Sequence, residues 1–261
     1  MNIFKQLLKK ILLLLGFKIV RLDKGLFSWY NKTDIFSDND FSWIKRIGIR
    51  SVIDVGANTG QFSLWISKLL PEARIYAFEP IGECFRELTH NMARHKNFKS
   101  YNFALGEEKC NRLFFRSESL QNASFLQKSE FYHNLVPFDL NSNSNELIII
   151  DTLDNIFNEI VLEDNVLLKI DVQGYEDKVL NGGKKILSRV PIIIIETAFC
   201  ELYKDQPLFD RVYRMLLDMD FLYFGSLKEH RSFSCNLPFQ QDSVFIKKNS
   251  PFVYSMLKKG G

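Results

Sequence analysis

The run SVIDVGANTGQFSLWI, Ser51 to Ile66, leaves this chain few folds to choose from. Val52, Ile53 and Val55 make a short strand. Gly56 and Gly60 then let the backbone bend tightly and approach a ligand with no side chain between, and Phe62, Leu64, Trp65 and Ile66 resume at helical spacing. Strand, glycine turn and helix in that order open a nucleotide-type site. A second strand, ARIYAFEP, ends in Glu79, where an acidic side chain can accept both hydroxyls of a ribose.

The glycine spacing separates two ligand classes. A dinucleotide site uses G-x-G-x-x-G, so that a pyrophosphate can rest on the helix N-terminus. This chain has Gly56-Ala57-Asn58-Thr59-Gly60 instead, preceded by Asp54. That acid repels a pyrophosphate but suits an ammonium or a sulfonium, so S-adenosylmethionine fits better than NAD. The competing reading is a plain tight turn, which Glu79 makes less economical.

Further along, the pattern alternates. A helix is expected over Pro80–Lys96, with Cys84, Phe85, Leu88 and Met92 inward, and a third strand over Phe98–Leu105. Residues 111–150 hold short β-like pieces, Arg112–Arg116 and Glu146–Ile150, around a Ser- and Asn-rich loop, with no helix of useful length. Asp151 or Thr152 caps a short helix. Asn165–Ile170 is nearly all apolar and therefore central, and Pro191–Ile195 is a further buried strand. Helix Leu208–Met219 precedes two last strands, 221–224 and 243–247, expected to pair antiparallel. Seven strands (51–55, 74–78, 98–103, 165–170, 191–195, 221–224 and 243–247), the first five alternating with helices, predict an α/β fold with a mostly parallel sheet covered on both faces.

DVGANTGQFS, YAFEP, FALGEE, LLKIDVQGYEDKVLNGG and QDSVFIKK occur in order between about residues 45 and 248. Together they resemble the FkbM family of S-adenosylmethionine-dependent methyltransferases. The resemblance implies a Rossmann-like, seven-stranded class I methyltransferase fold and places Ala104 and Leu105 beside the adenine. It also matches Asp171 to the acid that related methyltransferases set next to the methyl donor. Asp54, Gly56, Asn58 and Gly60 are then expected around the methionine part of the cofactor, and Glu79 at its ribose.

Methyl transfer from a sulfonium needs an acceptor held in line and one proton managed. Asp171, at the carboxyl end of the central strand, is the first candidate for that work. Glu196 and Glu176 are the second, either binding substrate hydroxyls or joining Asp171 around Mg2+. Strand-end acids also cap helices or pair with lysines; Lys169 is near, though strand alternation is expected to send it to the other face. Asp242, His133 and His230 are weaker candidates, and Arg112, Arg116, Ser124, Tyr132 and His133 offer donors to a polar substrate.

Composition bounds the rest. A chain of 261 residues, 46% hydrophobic and 25% charged, can bury one sizeable core, and a formal charge of +3 gives no case for nucleic acid. Cys84, Cys110, Cys200 and Cys235 form no C-x-x-C pair, so neither a zinc site nor a disulfide framework is indicated, and a cytoplasmic setting follows. Ile3, Phe4, Leu7, Leu8, Ile11, Leu12 and Leu15 face Lys5, Gln6, Lys9 and Lys10 across a helix too short to span a bilayer. Residues 1–20 are read as a peripheral contact at the inner face of the membrane, or as a helix packed on this domain or a partner subunit. Residues 1–44 are the amphipathic helix and an aromatic cap, 45–250 the FkbM-like domain with a substrate loop at 111–150, and 251–261 a tail. The expected activity is O-methylation of a sugar hydroxyl in a glycan, polysaccharide or lipid-linked precursor. The alternatives are an NAD-dependent oxidoreductase and a non-catalytic protein that keeps the cofactor fold.

Overall fold

The computed structural model describes residues 17–21, 27–31, 42–117, 123–135, 141–232 and 236–251. β1 (Phe17–Arg21) and β2 (Phe27–Asn31) pair antiparallel as a separate two-stranded sheet. The apolar stripe of residues 3–15 lies outside the described residues, and 17–20, expected to extend that helix, are strand.

The main sheet contains β3 (Ser51–Val55), β4 (Arg74–Phe78), β5 (Phe98–Tyr101), β9 (Val166–Ile170), β10 (Ile192–Ala198), β11 (Phe221–Arg231) and β12 (Pro238–Lys247). Its order is β11-β12-β10-β9-β3-β4-β5. β3, β4, β5, β9 and β10 run parallel, and β12 is antiparallel to both of its neighbours, so the expected seven-stranded, mostly parallel sheet is the one observed. β9 is central and buried throughout.

Adjacent residues on each strand feed opposite layers. Val52, Leu167, Ile192, Ile194, Val244 and Ile246 pack with Phe62, Ile66 and Leu69 of helix Gln61–Leu69 and with Leu88 of helix Gly82–Asn91. Ile53, Leu168, Ile193, Ile195 and Phe245 pack on the other side with Val179, Leu180, Val212 and Leu216 of helices Glu176–Asn181 and Phe209–Asp218. Period-two alternation of apolar residues on both faces is what commits these strands to the middle of a three-layer fold.

The sequence pattern misjudges two stretches. The strand expected over Phe98–Leu105 divides: β5 stops at Tyr101, and β6 (Ala104–Leu105) joins a second, three-stranded sheet. Asn102 makes the break, its side-chain amide donating to the carbonyls of Glu79 (2.9 Å) and Pro80 (3.0 Å). The second sheet is also longer than the short pieces predicted: β7 is Cys110–Ser117 and β8 is Asn141–Asp151, with a six-residue helix, Glu130–Leu135, between them. Phe114, Ile148 and Ile150 face inward while Leu113, Leu147 and Ile149 face out. Thr152 caps helix Leu153–Ile156, its hydroxyl accepting from the Asn155 amide, as one of the two expected caps.

Candidate functional site

The parallel strands deliver their ends to one edge of the sheet, where open α/β folds bind ligands. β3 brings Asp54 there. Its side chain is wholly buried; Oδ2 accepts from Ser63 Oγ at 2.6 Å, and Oδ1 has no hydrogen-bond partner among the described residues. Burial pushes the Asp54 carboxyl up, against the pull of Lys169 and Ser63.

The glycines that follow are required by the chain itself. Gly56, at φ 80°, lies so close to β9's exit that a Cβ there would stand 1.9 Å from the Asp171 carbonyl oxygen. Gly60, at φ 91°, lies against Leu88 of the next helix. Sequence reading assigned both to a close ligand; the structure shows close protein backbone at the first and a core leucine at the second. Asn58 is also left-handed, at φ 51°, and its amide donates to Glu79 Oε2 at 2.8 Å.

Glu79 Oε1 accepts from the Ile81 amide at 2.8 Å. A carboxylate has about four lone-pair sites, so two remain for further donors. Burial raises the Glu79 carboxyl to about 7 despite those two amides, and burial likewise raises Glu176 to about 7. Between the ordinary value of 4.5 and about 7, the folded protein keeps protons that the unfolded chain has released. Stability from these groups is therefore full below the ordinary value and lost as pH rises through 7. Cofactor-free protein is expected to melt lower at about pH 8 than at about pH 5, with up to about 1.4 kcal/mol per pH unit per group. A flat profile in calorimetric melts would exclude the two buried carboxyls as its cause. Ala104 and Leu105 are buried in β6, paired with Ile150 and Asp151 of β8.

β9 ends in Asp171. Lys169 lies two residues earlier and hence on the same face, correcting the expectation that alternation would separate them. Its Nζ is 3.0 Å from Asp171 Oδ2, and it opposes Asp54 across the β3–β9 pair. Burial works against the charge of Asp171, but Lys169 outweighs it and holds the carboxyl below the ordinary range. The buried ammonium, in turn, is raised because Asp171 and Asp54 overcome its own desolvation.

Gln173 bridges two of the expected acids, Nε2 donating to Asp171 Oδ1 at 2.9 Å and to Glu196 Oε2 at 2.7 Å. Gln173 is left-handed, at φ 56°, and is held at both ends: Tyr203 Oη donates to its side-chain Oε1 at 2.8 Å and Ser124 Oγ to its backbone carbonyl at 2.6 Å. Burial raises Glu196 well above the carboxylate range, helped by Asp171 and Glu176. Glu176 is committed elsewhere, its Oε1 accepting the Val172 and Gly174 amides at 3.1 and 3.2 Å and bracing the turn. Several loop donors also serve the scaffold. Arg112 donates to Tyr175 Oη, Ser124 holds Gln173, and Tyr132 is buried against Tyr203. The side chains of Arg116 and His133, and all of Cys235, lie outside the described residues; Cys84, Cys110 and Cys200 are free thiols.

A family model described as "Methyltransferase FkbM domain" matches residues 54–223, more than half of the chain and all of the edge just described apart from its last strands. The chain belongs to the FkbM methyltransferase family. Among its relatives, the 2-O-methyltransferase NoeI of Sinorhizobium fredii is 28% identical over 180 residues, covering 64% of this chain and 70% of that protein. The AMB antimetabolite synthetase AmbE of Pseudomonas aeruginosa is 28% identical over 202 residues, covering 64% of this chain and 9% of AmbE. Methyltransferase sdnD of Sordaria araneosa is 37% identical over 60 residues, 23% of each chain. The chain thus spans less than a quarter of the last two relatives.

In this FkbM domain, the unsatisfied Asp54 oxygen and the spare lone pairs of Glu79 fit S-adenosylmethionine, which offers an ammonium and two ribose hydroxyls. The divalent-ion set expected from Asp171, Glu176 and Glu196 is not gathered: Asp171 takes an ammonium and Glu176 two amides. Among the described residues the group with converging ligand atoms is Glu196, His230 and Asp242. Sequence reading missed Gln173 and Tyr203 as the parts that hold the acids together. A glutamine forced into the left-handed region carries no mark in one sequence. No described helix is long and apolar enough to cross a membrane.

Proposed function

We propose that this protein is an S-adenosylmethionine-dependent O-methyltransferase whose acceptor is a sugar hydroxyl in a glycan, polysaccharide or lipid-linked precursor. The Gln173-bridged pair of Asp171 and Glu196 at the carboxyl edge of an FkbM domain carries the reading. The cofactor, when bound, supplies an electrophilic methyl group. Asp54, Gly56, Asn58 and Gly60 take its methionine part, Glu79 its ribose, and the Ala104–Leu105 segment its adenine.

An alcohol is a poor nucleophile until its proton is engaged. The two acids have environments that push their proton affinities apart, the arrangement that divides acid–base labour in a site. Asp171, kept ionised by Lys169, orients the acceptor O–H and takes up its proton as the methyl group passes from sulfur to oxygen. Glu196, of higher proton affinity, keeps its own proton and braces Asp171 through a side-chain hydrogen bond. The O-methyl specificity of NoeI supports oxygen as the acceptor atom. The basic apolar stripe of residues 1–16 supports a peripheral membrane contact that would bring a lipid-linked acceptor within reach.

Thermal shift with S-adenosylmethionine, S-adenosylhomocysteine and NAD is the direct test, with stabilisation expected from the first two; stabilisation by NAD alone rejects the reading. Glu79→Ala is expected to weaken S-adenosylmethionine by about 1–3 kcal/mol in calorimetry, the scale of a charge-assisted hydrogen bond. Unchanged affinity in the folded variant would remove Glu79 from the ribose site. Mass spectrometry of surface glycans with and without the gene should differ by one methyl group, and identical spectra would reject a surface-glycan acceptor.

A further inference from the structure

The antiparallel end of the main sheet gathers two carboxylates and an imidazole from three neighbouring strands. Glu196 of β10 and Asp242 of β12 are cross-strand partners. His230 of β11 opposes Gln240, two residues from Asp242, and so lies on the same face. A register shift between Ser226 and Lys228 makes this possible. Without it, Glu229 would oppose Gln240 and His230 would point to the other layer. One ligand atom from each of the three residues lies within 4.8 Å of the other two.

Among the described residues, nothing else uses two of them. Asp242 and His230 take part in no side-chain hydrogen bond or ion pair among the described residues; His230 makes only a ring contact with Phe239. Glu196 is 8% exposed, its Oε2 accepting from Gln173 and its carboxyl also hydrogen-bonded to Asp171, so of the three it alone is already engaged. The nearby cations do not balance the cluster: Lys169 is paired with Asp171, and Lys228, opposite Asp242 in register, forms no ion pair with it among the described residues.

We propose that Glu196, His230 and Asp242 bind one divalent transition-metal ion of the Mn2+, Fe2+, Co2+ or Zn2+ type. Metal–ligand bonds of about 2.0–2.2 Å set neighbouring donors about 3–4 Å apart, within the span observed. One imidazole among two carboxylates selects these ions over Mg2+, which prefers water and oxygen ligands in a regular octahedron. Three protein ligands leave open positions. On the methyltransferase reading of the neighbouring pair, an acceptor hydroxyl entering one of them becomes more acidic beside Asp171.

The test uses tag-free, full-length protein stripped with a chelator and titrated with Co2+, followed by its visible absorption, and with Mn2+, followed by loss of the free-ion electron spin resonance signal. One ion per chain is expected, with Mg2+ a poor competitor. His230→Gln should weaken binding by about 100-fold or more, since partners one shell further out already cost about 10–100-fold. Asp242→Asn, removing a different ligand, gives an independent reading should His230→Gln fail to fold. Absence of stoichiometric Co2+ and Mn2+ binding, or unchanged affinity in a folded variant, overturns the site. Neither readout needs cofactor or acceptor, so a failed methyl-transfer assay leaves this result standing, and a failed titration leaves the methyl-transfer reading standing.

Discussion

Asp171→Asn is expected to leave S-adenosylmethionine binding nearly intact and to cut turnover by about 10²–10⁴-fold, the range for a positioned acid–base group. The substitution keeps the side chain's shape and one acceptor for Lys169 or Gln173, but removes the charge. What Lys169 then faces is Asp54, which already opposes it across β3 and β9, so the buried ammonium is not stranded. The loss should therefore appear in the chemical step. Single-turnover transfer of a labelled methyl group, with calorimetry for the cofactor and a melting curve for the fold, separates the three effects. A variant as fast as the parent removes Asp171 from the mechanism.

Gly56→Ala should be among the most damaging single methyl additions at the described residues, because it combines a backbone clash with a left-handed φ. The added Cβ would stand 1.9 Å from the Asp171 carbonyl oxygen, which belongs to the backbone and cannot rotate away. The residue also sits at φ 80°, where a side chain costs about 1–2 kcal/mol. Overpacking adds typically about 1–3 kcal/mol, so a loss of about 2–5 kcal/mol is expected in denaturant unfolding. Because the strain falls between the Gly56 turn and Asp171, the variant should lose both cofactor affinity and turnover even under conditions where it stays folded. Gly82→Ala is the control: no atom lies within 4 Å of its Cβ, and it opens a helix, so a gain of about 0.4–1 kcal/mol is expected. Equal stability of the two variants would contradict the packing argument.

Much of the sheet was legible because burial acts on strands one residue at a time. Val52 and Ile53, Leu167 and Leu168, Ile192 and Ile193 each divide between two layers, and an apolar run bounded by turn residues records that directly. The β5–β6 break was not legible, because it depends on Asn102 reaching two carbonyls over twenty residues earlier in sequence. The length of β7 and β8 was hidden for a related reason: their outer face carries Leu113, Leu147 and Ile149 in the open, which blurs the alternation that marks a half-buried strand.

The same division runs through the site. The candidate acids Asp54, Glu79, Asp171 and Glu196 were marked in the sequence by their positions at strand ends beside turns, a local property of the chain. The family, too, was legible in the order of its motifs. Only the tertiary structure decided what each acid does. It paired Lys169 with Asp171, committed Glu176 to its own turn, made Gln173 the bridge to Glu196, and brought His230 and Asp242 to that same face through a bulge in β11. Proton affinity and ligand geometry are set by neighbours a few ångströms away, and in a parallel sheet those neighbours come from strands tens of residues apart. Spacing along the chain can place a carboxylate at an edge, but only the register between strands gives it partners.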